Sequence, residues 1–224
     1  FNNFKYQLIL IIFMAKTIII FVAHGDDESV GMGGTIIKLA KEGYNLIEVV
    51  FSAGQKSHPH YREEVIIKKR IKEKEGIGKR FGINQFIFFG LEDNKLKEEI
   101  QEKNIKERIR RIIKKYKPKK IYITSQFDPH TDHRAVNEAV LEVINDLNYN
   151  ADVYAYEVWN IVKENKPETY IDISDYFKAK ITRMKSFKSQ WVSMYLLLIP
   201  VYIRAIIYGM KNNCRYAEKF YKIK

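Results

Sequence analysis

Two apolar runs in this chain each lead into a cluster of histidine and acid, and that pairing limits the fold more than any other feature. Ile18-Ile19-Ile20-Phe21-Val22 runs straight into Ala23-His24-Gly25-Asp26-Asp27-Glu28. Much later, Ile121-Tyr122-Ile123-Thr124 is followed within a few residues by His130-Thr131-Asp132-His133. A continuous β-rich apolar run reads as a strand covered on both faces. In open α/β sheets, ligands bind at the carboxyl ends of the strands. A fold that sets these two strand ends together gathers His24, His130 and His133 with Asp26, Asp27, Glu28 and Asp132 in one crevice. Such a set holds what a hydrolytic metal site needs: ligands, a carboxylate base and a neighbouring imidazole.

The rest of the chain supports that architecture. Residues 29–40 read as a helix with Ile36, Ile37 and Leu39 on its apolar side, a flexible first turn at Gly31, Gly33 and Gly34, and Gly43 as its stop. Residues 46–51 read as a second strand, and a polar loop with Gly54, His58 and His60 follows. Residues 61–80 read as a charged helix, or as two broken near Gly76-Ile77-Gly78. Residues 86–89 are a third short strand. Residues 96–116 carry isoleucines near helical period, up to Pro118. Residues 134–147 form the clearest amphipathic helix. Residues 153–158 alternate as a half-buried or edge strand does. Beyond them the chain reads as helical from 175 to 190, then irregular and helical to the end. Strands alternating with helices predict a Rossmann-like α/β fold: a mostly parallel sheet, helices on both faces, and the active site at the C-terminal ends of the strands.

Length suits one domain over residues 1–224. Residues 1–13 read as an extension ahead of Met14; a signal peptide is the rival reading, since Lys5 precedes an apolar segment. The stretch 191–210 is apolar but contains Pro200 and Arg204. It is expected to be a pocket wall, a subunit contact or a surface-dipping helix rather than a transmembrane span. Cys214 is the single cysteine, which excludes an intrachain disulfide and a thiolate metal cage and points to a reducing, cytoplasmic location. The charge of +12, from 39 basic and 27 acidic residues, favours an anionic substrate or surface.

Each cluster has a plainer account. Acids at a helix start satisfy free amides and the helix dipole. That covers one or two acids, not three in a row after a histidine, because adjacent carboxylates repel unless a cation or water screens them. His130 and Asp132 follow Asp128-Pro129, which is turn chemistry, yet a turn does not need a histidine at both ends of the cluster.

These motifs resemble the LmbE-like, or PIG-L, family of zinc-dependent N-deacetylases. That family has Ala-His-Pro-Asp-Asp-Glu after its first strand and His-x-Asp-His after a later one. Arg70-x-x-Glu73 with Phe81-Gly82, Gly90-Leu91-Glu92-Asp93, Tyr156-Glu157-Val158-Trp159, Asp172-Ile173-Ser174, Lys180, Ser189-Gln190 and Tyr216-Ala217-Glu218-x-Phe220 also fall where the family has similar residues. The resemblance implies that His24, Asp27 and His133 bind Zn2+ or another divalent metal, and that Asp26 is the general base towards the attacking water. It implies that His130 stabilises the oxyanion or protonates the leaving amine, and that Asp132 holds its neighbouring imidazole. Arg70 is expected at a substrate oxygen or on a solvated helix face. Glu28 is expected to back the ligands or to serve as a helix-start acid. Gly25 departs from the family's proline and is expected to loosen the turn.

The expected function is hydrolytic removal of the N-acetyl group from an N-acetylglucosamine-type sugar or conjugate, releasing acetate. A related amidase acting on a glucosamine conjugate is the alternative within the same chemistry. A basic nucleic-acid-binding protein with a structural metal is the alternative from another class. It lacks a recognition motif, so no nucleic-acid partner is expected. Peripheral membrane contact and self-association stay open.

Overall fold

The computed structural model describes residues 16–54 and 63–224, with side chains in the second stretch from residue 66 onward. The expectations for residues 1–13, Met14, His58 and His60 lie outside the described residues. Seven strands form one sheet: β1 (Thr17–Val22), β2 (Asn45–Ser52), β3 (Gln85–Leu91), β4 (Lys120–Thr124), β5 (Asp152–Tyr156), β6 (Glu168–Asp172) and β7 (Ala217–Lys222). Their spatial order is β3-β2-β1-β4-β5-β7-β6. The five strands from β3 to β5 pair in parallel, and β7 runs antiparallel to both β5 and β6. The chain builds outward from β1 to β3 and returns to place β4 against the free side of β1, with Ile20 opposite Tyr122. That reversal is a topological switch point, where the strand ends leave a crevice.

The helices are α1 (Asp27–Lys41), α2 (Glu63–Arg80), α3 (Leu96–Glu102), α4 (Ile105–Tyr116), α5 (Thr131–Asp146), α6 (Phe177–Lys185) and α7 (Trp191–Lys211). They cover both faces. Ile19 and Phe21 of β1 pack with Ile100, Ile109, Val136 and Val140 from α3, α4 and α5. Ile18, Ile20 and Val22 point the other way and pack with Ile36, Ile181 and Val201 from α1, α6 and α7. The alternation of a strand buried on both sides therefore feeds two cores.

Several elements differ from the sequence expectation. The helix expected over 96–116 is two helices, because Asn104 takes a left-handed conformation at φ 51° between them. β5 is an interior strand, flanked by β4 and β7. The helix expected over 175–190 is shorter, with single 3-10 turns at Ser174–Tyr176 and Lys188–Gln190 on either side of α6. β7 was expected as irregular or helical chain, and no element was assigned to residues 168–172, which form β6. Gly31 and Gly34 serve close packing. A Cβ on Gly31 would lie 2.4 Å from the Glu157 carbonyl oxygen, and one on Gly34 would lie 2.7 Å from Ile173 Cδ1.

Candidate active site

The site lies at the carboxyl ends of β1 and β4. β1 delivers His24, and the first turn of α1 delivers Asp27, whose Oδ2 accepts a 2.8 Å hydrogen bond from the His24 backbone N–H. The loop after β4 delivers His130, and α5 opens with Asp132 and His133. The Thr124 hydroxyl donates to the His133 carbonyl at 2.8 Å, and Asn137 Nδ2 donates back to the Thr124 carbonyl at 2.6 Å. Those bonds pin the start of α5 to the end of β4.

His24, Asp27 and His133 each offer a ligand atom, and these atoms lie within 4.8 Å of one another. Asp27 Oδ1 is 3.7 Å from His24 Nδ1 and 3.2 Å from His133 Nε2. The far side of each ring faces a carboxylate. His24 Nε2 is 2.9 Å from Asp93 Oδ1 and 3.2 Å from Asp132 Oδ2. His133 Nδ1 is 2.9 Å from Asp128 Oδ1. Carboxylates placed like this fix a tautomer and leave the opposite nitrogen free to ligate. His24, His130 and Asp132 form a second group within the same reach. There, however, Asp132 Oδ2 already accepts from the Asn94 N–H at 2.8 Å, and His130 Nδ1 accepts from the Asp132 N–H at 3.2 Å.

The electrostatics sort these groups. Burial alone would push His133 down, but Asp27 and Asp128 overcome it and raise the imidazole to about 9. His24 is likewise raised against its burial by Asp132, Asp27 and Asp93. Asp27, although buried, is held well below the usual carboxylate range by His133 and His24. Asp26 moves the other way: burial and the Asp27 charge raise it. His130 is lowered by burial and by the two neighbouring imidazoles. Adjacent Asp26 and Asp27 thus occupy opposite electrostatic roles, one a fixed anion and one poised to take a proton.

His24, Asp26 and His130 line a cavity of about 310 Å³, while Asp27 and His133 are buried beside them. The cavity walls come from Arg70, Asp93, Trp159, Gln190 and Trp191. Residues 19–144, which include every ligand candidate, match the family whose description is PIG-L, GlcNAc-PI de-N-acetylase. The chain belongs to the PIG-L family. A diacetylchitobiose deacetylase of Thermococcus kodakarensis is 24% identical over 220 residues, spanning 91% of this chain and 81% of that protein. The solved structure of N,N'-diacetylchitobiose deacetylase from Pyrococcus horikoshii superposes with a TM-score of 0.78 at 22% identity, covering 98% of this chain and 91% of that one. The same fold is found in GalB, a 4-carboxy-2-hydroxymuconate hydratase of Pseudomonas putida, with a TM-score of 0.75, 18% identity, and coverage of 93% and 96%.

Within this PIG-L site, several side chains lie elsewhere than expected. Asp132 reaches His24, across the crevice, and not the imidazoles beside it in sequence. Glu28 lies in the first turn of α1, as expected of a helix-start acid, but its side chain turns into a buried ion cluster and does not back the ligand group. Lys74 Nζ lies 2.5 Å from Glu28 and 2.7 Å from Glu48, and Arg183 Nη2 lies 2.6 Å from Glu28. Arg70 is buried in the cavity wall, where Nη1 donates to the carbonyls of Ala53 and Gly54. That placement rules out a solvated helix face. Trp159 sits edge-on to His130, with ring centroids 5.6 Å apart. Asp93 and Gln190 were noted only within segments that match the family and Asp128 only as turn chemistry, and none was given a role at the site. The Gly-Leu-x-Asp turn after β3 was a usable signal for Asp93. Asp128, read as turn chemistry, carried a signal only through its spacing to His133.

Proposed function

We propose that this chain is a zinc-dependent N-deacetylase that removes the acetyl group from an N-acetylglucosamine-type sugar or conjugate. The observation that supports this most is the convergence of His24, Asp27 and His133, with His24 and the adjacent Asp26 opening onto the cavity. The donor set fits zinc: two imidazoles and a carboxylate, buried, with a carboxylate behind each ring. The field that holds protons on His24 and His133 also favours a divalent cation in their place. Such an ion, bound by His24, Asp27 and His133, supplies Lewis acidity and a more acidic water.

The chain's own residues do the rest. Asp26, raised by burial and by Asp27, accepts the proton of the attacking water as its oxygen bonds to the acetyl carbon. His130, lowered and therefore neutral at physiological pH, donates a hydrogen bond to the carbonyl oxygen as it gains charge. The C–N bond then breaks as the proton held by Asp26 passes to the departing amine nitrogen, and acetate remains. Asp132 and Asp93 orient His24, and Asp128 orients His133. Arg70 supplies a positive wall for a substrate oxygen. The cavity is at the small end of the usual range for ligand pockets, about 300–1,000 Å³, which suits one sugar unit, and Trp159 and Trp191 offer faces for its ring. Residues 1–224 act as one domain, in a cytoplasmic setting compatible with the free Cys214.

Acetate release from N-acetylglucosamine, diacetylchitobiose and an N-acetylglucosaminyl conjugate tests the reading, with added zinc, with a chelator, and with Asp26→Ala. Release that needs metal and falls by about two orders of magnitude or more in the variant is expected. No release from any of these sugars by zinc-loaded protein would move the search to other amides of glucosamine conjugates.

A further inference from the structure

The most unusual surface of the molecule is α7. Among the described residues, most of the large apolar side chains that stay exposed lie on this one helix. Trp191, Tyr195, Ile199, Tyr202, Ile206 and Met210 recur every three or four residues, which places them on one stripe. Leu196 is 71% exposed, Ile199 69% and Met210 67%. Met194, Val201, Ala205 and Tyr208 line the opposite side and are buried. A contiguous apolar face this long is rare on a monomer and marks a docking surface.

The charge around it identifies the partner. Between Asp175 and Glu218 the chain contains no acidic residue at all. Lys178, Lys185, Lys188, Lys211 and Arg215 are exposed along the same segment. Lys185 Nζ lies 6.0 Å from the centre of the Tyr195 ring, beside the stripe. Apolar and aromatic side chains bordered by cations, of which, among the described residues, only Lys211 has a carboxylate within ion-pair distance (Glu168, 3.9 Å), are the composition of a helix that lies in the headgroup layer of an anionic bilayer. A second copy of this chain fits poorly, because a two-fold contact would set the same lysines against each other. Trp191, Val192 and Leu197 also line the cavity, so whatever covers this face meets the cavity mouth. α7 is long and apolar enough to cross a membrane. Its other side, however, belongs to the core, and buried Arg204 donates to the Val158 carbonyl at 2.7 Å.

We infer that the exposed face of α7 is a peripheral membrane-binding surface, which lies along an anionic lipid bilayer and brings the cavity mouth to the headgroup layer. The inference is independent of the chemistry assigned to the cavity.

Flotation of the full chain with vesicles tests it. One set is phosphatidylcholine alone, and the other contains phosphatidylglycerol as well. The wild-type chain is expected to float with the anionic set, less with the neutral set, and less as salt is added. The triple variant Leu196→Ser, Ile199→Ser, Ile203→Ser is expected to partition at least about tenfold more weakly. A thermal melt followed by circular dichroism confirms that it folds. The pair Lys185→Glu and Lys188→Glu, which leaves every apolar side chain in place, is expected to weaken anionic binding by about tenfold or more. Failure of the wild-type chain to float overturns the inference. So does undiminished flotation of a folded triple variant or of the charge pair, which would assign binding elsewhere, such as the apolar stretch before Met14. Wild-type protein that sediments as an oligomer, does not float, and dissociates in the triple variant would assign this face to a second copy.

Discussion

Gln190 Nε2 donates a 2.7 Å hydrogen bond to Asp26 Oδ2, joining the start of α7 to the carboxylate proposed as the base. The bond spans 164 residues of sequence. It is braced by its neighbour, since the Ser189 N–H donates to Glu73 Oε1 at 3.1 Å, one turn along α2 from Arg70. A donor to the charged form favours that form. Gln190→Ala should therefore raise Asp26 further and move the acidic limb of the kcat/KM profile to higher pH, with a loss of about tenfold in rate at neutral pH. A profile whose acidic limb stays in place would show that Gln190 does not act through Asp26.

Asp128 stands behind His133 as Asp93 and Asp132 stand behind His24. Asp128→Asn keeps the shape and removes the charge. It should weaken zinc affinity about 10–100-fold, the usual result of removing a carboxylate behind a ligating imidazole. Competition against a chromophoric chelator measures this without reference to turnover. An unchanged affinity would mean that the His133 contact does not orient a ligand.

The buried ion cluster beneath the site predicts a stability profile. Burial and the Glu28 charge push Glu48 from its ordinary 4.5 up to about 8. Between those values the folded chain holds a proton that the unfolded chain has released. The contribution is thus complete below about pH 4.5 and is lost as pH rises through about 8. Glu48→Gln mimics the protonated form and removes that dependence. Thermal midpoints of wild type should fall relative to the variant between about pH 5 and about pH 9. Parallel midpoint curves would mean that Glu48 is ionised throughout.

Gly25 is not among the glycines with positive φ, and a Cβ there meets nothing nearer than Lys74 at 3.7 Å. Alanine should fit without strain and stabilise the fold by about 0.4–1 kcal/mol through the unfolded state. Acetate release by Gly25→Ala should equal or exceed that of wild type. A large loss would show that the turn needs glycine's freedom when substrate is bound.

Much of this protein was legible in its residues. Apolar runs of strand length, the helical period of 134–147, and polar clusters at two strand exits determined the α/β class and brought His24, Asp26, Asp27, His130 and His133 into view together. Those signals are local: a period of two or of 3.6, and a break in it, can be read without neighbours. β7 escaped because its polar residues are buried in pairs. Lys219 lies 2.7 Å from Glu157. Glu218 lies 2.6 Å from Lys180 and accepts the Gly34 and Thr35 N–H groups. Without partners in view, Ala-Glu-Lys-Phe-Tyr-Lys shows no buried face. The partners of Asp132, Asp128 and Gln190 were hidden for the same reason, since each reaches across the crevice to a side chain that only strand order brings near. The exposure of α7 belongs to that class too. Its composition allowed a pocket wall, a subunit contact or a surface-dipping helix, and only the packed sheet shows which side of the helix is left without a neighbour.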